Sequence, residues 1–170
     1  MGSDLDKLNT ISWWVGVIAK IAMVLFVCAI AAICVLMVVA AFNPDLLLDN
    51  IPELNTKGEI VLLGAMIITV VAFVIVILYY VNHLFMGIRK NNTPFTDESV
   101  KDLKTIAILV LVCAIVAPIL SGVAEYVFDV GAEGAISFSP LTLFVAFVFY
   151  VLSLVFSYGA ALQKESDETL

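Results

Sequence analysis

An all-α integral membrane protein, a bundle of four transmembrane helices with both termini cytoplasmic, is the fold class this sequence predicts. Hydrophobic residues make up 63% of the 170 positions and charged residues 14%, against an apolar share near ~45–50% in ordinary soluble domains. The apolar residues gather in four long runs, each close to the ~20 residues a helix needs to cross a hydrocarbon core. Of the eight Lys and Arg residues, all but Lys57 fall in segments that four crossings put on one side of the membrane. No stretch is polar enough for a separate soluble domain, so residues 1–170 read as a single integral membrane domain. The spans are placed at about 15–42, 60–84, 106–127 and 141–159.

Inside lipid every backbone N–H and C=O must find its partner within the segment, so these runs are helices. The period-two alternation of a membrane barrel is absent. The first span contains IAMVLFVCAIAAICVLMVVAAF, Ile21 to Phe42, without a charge. Its lead-in carries Trp13, Trp14 and Lys20, read as interfacial anchors and a snorkelling ammonium. The run is longer than a signal peptide's apolar core of about 7–15 residues and follows a nearly neutral start, so it reads as a retained span. Asp6 stands where an N-myristoylation signal needs Ser or Thr. Ala29, Ala31 and Ala32 here, and Gly64 and Ala65 on span two, are candidate close-packing positions.

The second span ends in Tyr79, Tyr80, Asn82 and His83, the only histidine, read as interfacial groups. Pro118 interrupts the third span and is expected to bend it, with Ser121 and Gly122 nearby to admit a neighbour. Glu125 is placed near the outer end as an interfacial carboxylate. The aromatic run LFVAFVFYVLSLVFSY suggests that the fourth span faces lipid over part of its surface. Cys28, Cys34 and Cys113 lie inside spans and read as small packing residues.

The charge pattern orients the chain. The loop 43–59 holds Lys57 among Asp45, Asp49, Glu53 and Glu59, and the loop 128–140 has Asp129 and Glu133 with no basic residue. Lys and Arg are retained in the cytoplasm, so both acidic loops are expected outside. Their spacing matches no ordered calcium loop. The net charge of −7 is spread over both sides and gives no reason to expect direct nucleic-acid binding.

The loop 85–105 contains RKNNTPFTDESVKDLKTI, the most soluble-looking passage of the chain. Asn91, Asn92 and Pro94 make a turn. Thr96 is a candidate N-cap, Asp97 and Glu98 suit the first turn of a helix, and Phe95 is placed to staple onto Val100. With no breaker before Ile106, one helix is expected from Asp97 to Val127, its first turns at or above the membrane surface. The tail AALQKESDETL is expected to continue below the membrane, presenting Glu165, Asp167 and Glu168. Two readings stand side by side: a charge latch to Arg89, Lys90, Lys101 and Lys104, each exposed pair worth at most about 1 kcal/mol, and two independent solvated segments.

Two segments carry a resemblance. LFMGIRKNNTPFTDESVKDLKTIAIL (Leu84 to Leu109) and FSYGAALQKESDETL (Phe156 to Leu170) resemble the family catalogued as domain of unknown function 2975, small four-span membrane proteins of bacteria and archaea. The matching positions are Asn92, Pro94, Phe95, Thr96, Val100, Tyr158, Gly159, Leu162, Gln163, Glu165 and Asp167. The inserted Thr93, Ser157 in place of Arg and Ala161 in place of an acid depart from the pattern. The resemblance implies a prokaryotic inner-membrane location. It also implies a place beside a small helix-turn-helix regulator, as the membrane component of a regulatory pair, and it implies no activity.

No enzyme is expected. The chain lacks paired carboxylates within the spans, HExxH, a nucleophile beside a base and a Gly-rich phosphate loop. No cofactor and no metal ligand set is expected either. The functional expectation is a non-enzymatic regulatory or scaffold component, anchored in the lipid bilayer. It would dock a soluble regulator or another membrane subunit on its cytoplasmic loop and tail. The candidate partner-binding residues are Arg89, Lys90, Pro94, Phe95, Thr96, Lys101 and Lys104 of the loop, with Gln163, Glu165 and Asp167 of the tail. The alternative is a homo-oligomeric small transporter or channel subunit, with Glu125, His83 or polar residues of span four around an axis.

Overall fold

The computed structural model describes residues 2–43, 57–128 and 139–168. They form four helices: α1 (Gly2–Phe42), α2 (Lys57–Asn91), α3 (Asp97–Phe128) and α4 (Pro140–Glu168). No strand occurs among the described residues. All four are long and apolar enough to cross a membrane, and together they form a bundle. Each helix exceeds its apolar run because nothing in the flanking sequence stops it. At about 1.5 Å per residue, the 35 residues of α2 reach roughly 52 Å, well beyond a core of about 30 Å. Polar helix therefore continues outside the lipid.

Helix extends into two segments read as loop in the sequence. Lys57 and Glu59 belong to the first turn of α2, where the helix dipole favours the Glu59 carboxylate, and Glu59 is buried. Most of the two acidic loops lies outside the described residues. The connector between α2 and α3 shrinks from 85–105 to residues 92–96, because α2 runs through Arg89 and Lys90 to Asn91. Asn92, at φ 53° the only non-glycine with positive φ among the described residues, ends it; Asn tolerates this left-handed geometry at a helix C-terminus. The start of α3 follows expectation. The Thr96 Oγ1 accepts the Ser99 N–H at 3.1 Å, and the Thr96 carbonyl accepts the Val100 N–H at 3.0 Å. The helix passes through Pro118 without ending.

Each helix packs on the next in sequence: α1 on α2, α2 on α3 and α3 on α4. No comparable contact closes α4 onto α1 among the described residues. The buried face of α1 is a stripe that includes Ser12, Gly16, Ala19 and Ala40, with Met23, Phe26, Ile30, Ile33 and Met37 half-buried between them. Its spacing alternates four and three, the period of left-handed helix pairs, and its small members allow close approach in lipid. Ala31, Ala32 and Ala65 fall off the packing faces and are exposed, unlike the buried Gly64, over which Met37 lies. Cys28 and Cys34 are also exposed, so they face lipid rather than a neighbouring helix. Gly122 likewise has open space around it.

The bundle is tightest at the connector end. Leu84 and Ile88 of α2 meet Leu103 and Ile106 of α3, with Leu8 of α1 and Phe149 and Phe156 of α4 against them. Ile106 is wholly buried. Elsewhere most large apolar side chains point outward, among them Val24, Leu36, Ile108, Phe144 and Phe147. In water this surface would drive aggregation; against lipid tails it is solvated. The fully buried Ser153 is satisfied within its own helix, donating to the Tyr150 carbonyl at 2.6 Å, as a hydroxyl inside lipid requires.

Candidate functional site

The first turns of α1, the connector and the tail of α4 meet at one end of the bundle. Asn9 of α1 donates from Nδ2 to Asn92 Oδ1 at 3.0 Å, which ties α1 to the residue that terminates α2. On the far side, Thr93 donates from Oγ1 to Gln163 Oε1 at 2.9 Å and accepts the Phe95 N–H at 3.3 Å. One hydroxyl thus holds both the tail and the shape of the connector.

Phe95 seals the same junction. Its ring lies over Gly159 and meets Phe156 edge to face, centroids 5.5 Å apart, a favoured aromatic geometry. The sequence reading paired Phe95 with Val100 of its own helix; the structure lays it on α4. Connector and tail are therefore in contact through an aromatic ring and a hydrogen bond, not through the charge pairs of the latch. Among the described residues no ion pair joins Lys101 or Lys104 to Glu165, all three being exposed. The Asp167 side chain lies outside the described residues. A groove of about 320 Å³ runs along this junction, lined by Thr93, Phe95, Thr96, Asp97, Gln163 and Lys164 among others.

The ten candidate residues separate accordingly. Phe95, Thr96 and Gln163 line the groove. Pro94 sits in the turn beside it. Arg89 and Lys90 line a different cavity, of about 500 Å³, between α2 and the start of α3, together with His83, Met86, Gly87 and Glu98. Lys101, Lys104 and Glu165 line neither, and the Asp167 side chain lies outside the described residues.

Sequence reasoning missed the pair that joins α2 to α3. His83 Nδ1 lies 2.7 Å from Asp102 Oδ2, and Asp102 is 5% exposed. One proton is shared between the two atoms, with Nδ1 as donor or acceptor according to the ring tautomer. Tyr79 stacks on the other side of the imidazole, centroids 6.3 Å apart. The available signal was spacing. Ser99, Asp102, Leu103 and Ile106 follow the i, i+3, i+4, i+7 row of one helix face, and all four are buried. An acid on that row needs a partner, and the chain has one histidine. Among the described residues no group of His, Cys, Asp and Glu could hold a metal ion.

The model of the family described as protein of unknown function (DUF2975) matches residues 49–170. The chain belongs to the DUF2975 family. The matched region contains α2, α3 and α4. Both segments that carry the DUF2975 resemblance lie within it, and the structure brings them together: Phe95 of the first rests on Gly159 of the second. Thr93, a departure from the DUF2975 pattern, supplies the hydrogen bond to Gln163. No curated protein and no solved structure matches the chain.

Proposed function

We propose that this DUF2975 protein is a non-enzymatic regulatory or scaffold component of a prokaryotic plasma membrane, with both termini and the connector in the cytoplasm. Its working surface is the groove between connector and tail, where a soluble partner or a second membrane subunit docks. One observation carries this reading: two segments about 65 positions apart in the chain are locked together by Phe95 on Gly159 and Thr93 on Gln163. The lock leaves Phe95 39% exposed at the rim of a groove bordered by Asp97 and Glu168. That combination suits a partner with an apolar anchor beside a basic residue. The orientation rests on the basic residues of this end, Arg89, Lys90, Lys101, Lys104 and Lys164.

A photoreactive side chain at Lys164, on the groove, with a control at Lys101, outside it, tests the reading in native membranes. Capture of one soluble protein from position 164 alone, lost in a Thr93→Ala, Gly159→Ala background, is the expected result. Capture of only further copies of this chain would replace it with a self-assembling membrane unit.

A further inference from the structure

We infer that the cavity between α2 and α3 binds a phosphate-bearing anion, supplied by the headgroup of an anionic membrane lipid. The cavity holds about 500 Å³ and is lined by His83, Met86, Gly87, Arg89, Lys90 and Glu98. Its depth in the membrane follows from helix length. Ile60 to His83 spans about 35 Å at 1.5 Å per residue, enough to cross the hydrocarbon core of about 30 Å. His83 thus sits at the boundary, and Arg89 and Lys90 lie about 9–10 Å further along the axis, at headgroup level. Basic pockets between spans at this level are where acidic headgroups bind.

The lining combines the apolar and the polar chemistry that a lipid presents. Met86, 47% exposed, and Gly87 supply apolar lining. Arg89 and Lys90 supply two cations, and neither is held in an ion pair among the described residues. The contact of Nδ1 with Asp102 holds the His83 ring in place at the cavity wall. Glu98 on the α3 side disfavours a second anion but accepts from hydroxyls, so a headgroup with one phosphate and free hydroxyls, such as phosphoglycerol, fits best. A β-carbon at Gly87 would meet nothing within 4 Å. This position is therefore open space that a larger side chain would fill without strain in the fold.

The test compares full-length protein in nanodiscs of phosphatidylglycerol and phosphatidylcholine mixtures, reading co-purified lipid by native mass spectrometry. Four forms enter: the natural chain, Gly87→Leu, Arg89→Gln with Lys90→Gln, and Lys101→Gln with Lys104→Gln. The natural chain and the Lys101, Lys104 variant should retain phosphatidylglycerol selectively. Gly87→Leu, which changes no charge, and the Arg89, Lys90 variant should each lose about tenfold in selectivity. Equal loss in both double variants with none in Gly87→Leu would reduce the effect to surface charge and overturn the site. Displacement of lipid by millimolar inorganic phosphate would keep the anion chemistry and overturn the lipid as its source. Unchanged thermal unfolding of Gly87→Leu in detergent separates occlusion from misfolding.

Discussion

Gly159 and Gly64 both lie under a neighbour's side chain, and the nature of each neighbour decides what an added methyl does. At Gly159 a β-carbon would come within 2.7 Å of Cε1 and 2.9 Å of Cγ of Phe95, atoms of a rigid ring. Gly159→Ala should lift the connector off α4, costing about 1–3 kcal/mol and raising hydrogen exchange at the Thr93 and Phe95 amides. Phe95→Leu in the same chain should recover part of the loss. At Gly64 the methyl would meet the Met37 side chain, Sδ at 2.5 Å, Cγ at 2.9 Å and Cε at 3.1 Å, a flexible chain that can change rotamer. The helix gains about 1 kcal/mol from Gly to Ala, so Gly64→Ala should leave thermal stability nearly unchanged. The His83 and Asp102 pair gives an asymmetric expectation. His83→Ala strands a buried carboxylate, a loss of about 1–2 kcal/mol, whereas Asp102→Asn keeps a hydrogen-bonding group at lower desolvation cost. Chemical denaturation in detergent should rank the first variant below the second. None of these contacts is a local pattern, because each joins residues from different segments of the bundle.

The helix ends are where local sequence speaks most directly. Thr96, Asp97 and Glu98 announce the start of α3, and the Thr96 hydroxyl does take the Ser99 amide. Thr96→Ala should therefore cost about 1 kcal/mol and speed exchange of the Ser99 amide, while Thr96→Ser changes little. The end of α2 was harder to read. Asn91 and Asn92 mark a turn, but the apolar run alone stops at Leu84, and nothing in the polar residues up to Lys90 breaks a helix. Asn92→Val, forced to a positive φ that a β-branched residue resists, should loosen the connector more than Asn92→Gly, which keeps the backbone and gives up only the Asn9 hydrogen bond.

At the scale of the whole molecule, four crossings place Asn9, residues 92–96 and Gln163 at the same end. A membrane-impermeant maleimide applied to inverted and right-side-out vesicles should label Cys substituted at Thr93 or Lys164 in one orientation only, and the same one. The native Cys28 and Cys34, exposed within a span, should stay unlabelled in both. Labelling of the two introduced sites from opposite sides would break the four-crossing topology.

Four spans, helical throughout, with the basic residues gathered at one end, followed from length, hydropathy and charge, because a bilayer constrains these properties at every position along the chain. The family followed as well, from two short segments. The face each span turns inward did not, since lipid is as apolar as a packed helix and leaves both sides of α1 looking alike; small residues such as Gly16 and Ala19 mark the seam only once α2 lies against it. The junction of Phe95 with Gly159, the pair of His83 and Asp102, and the placing of Arg89 and Lys90 in one cavity and Lys164 in another were likewise decided by tertiary packing. Each depends on the rotation of one long helix against the next, and that rotation is set by contacts between residues distant in sequence.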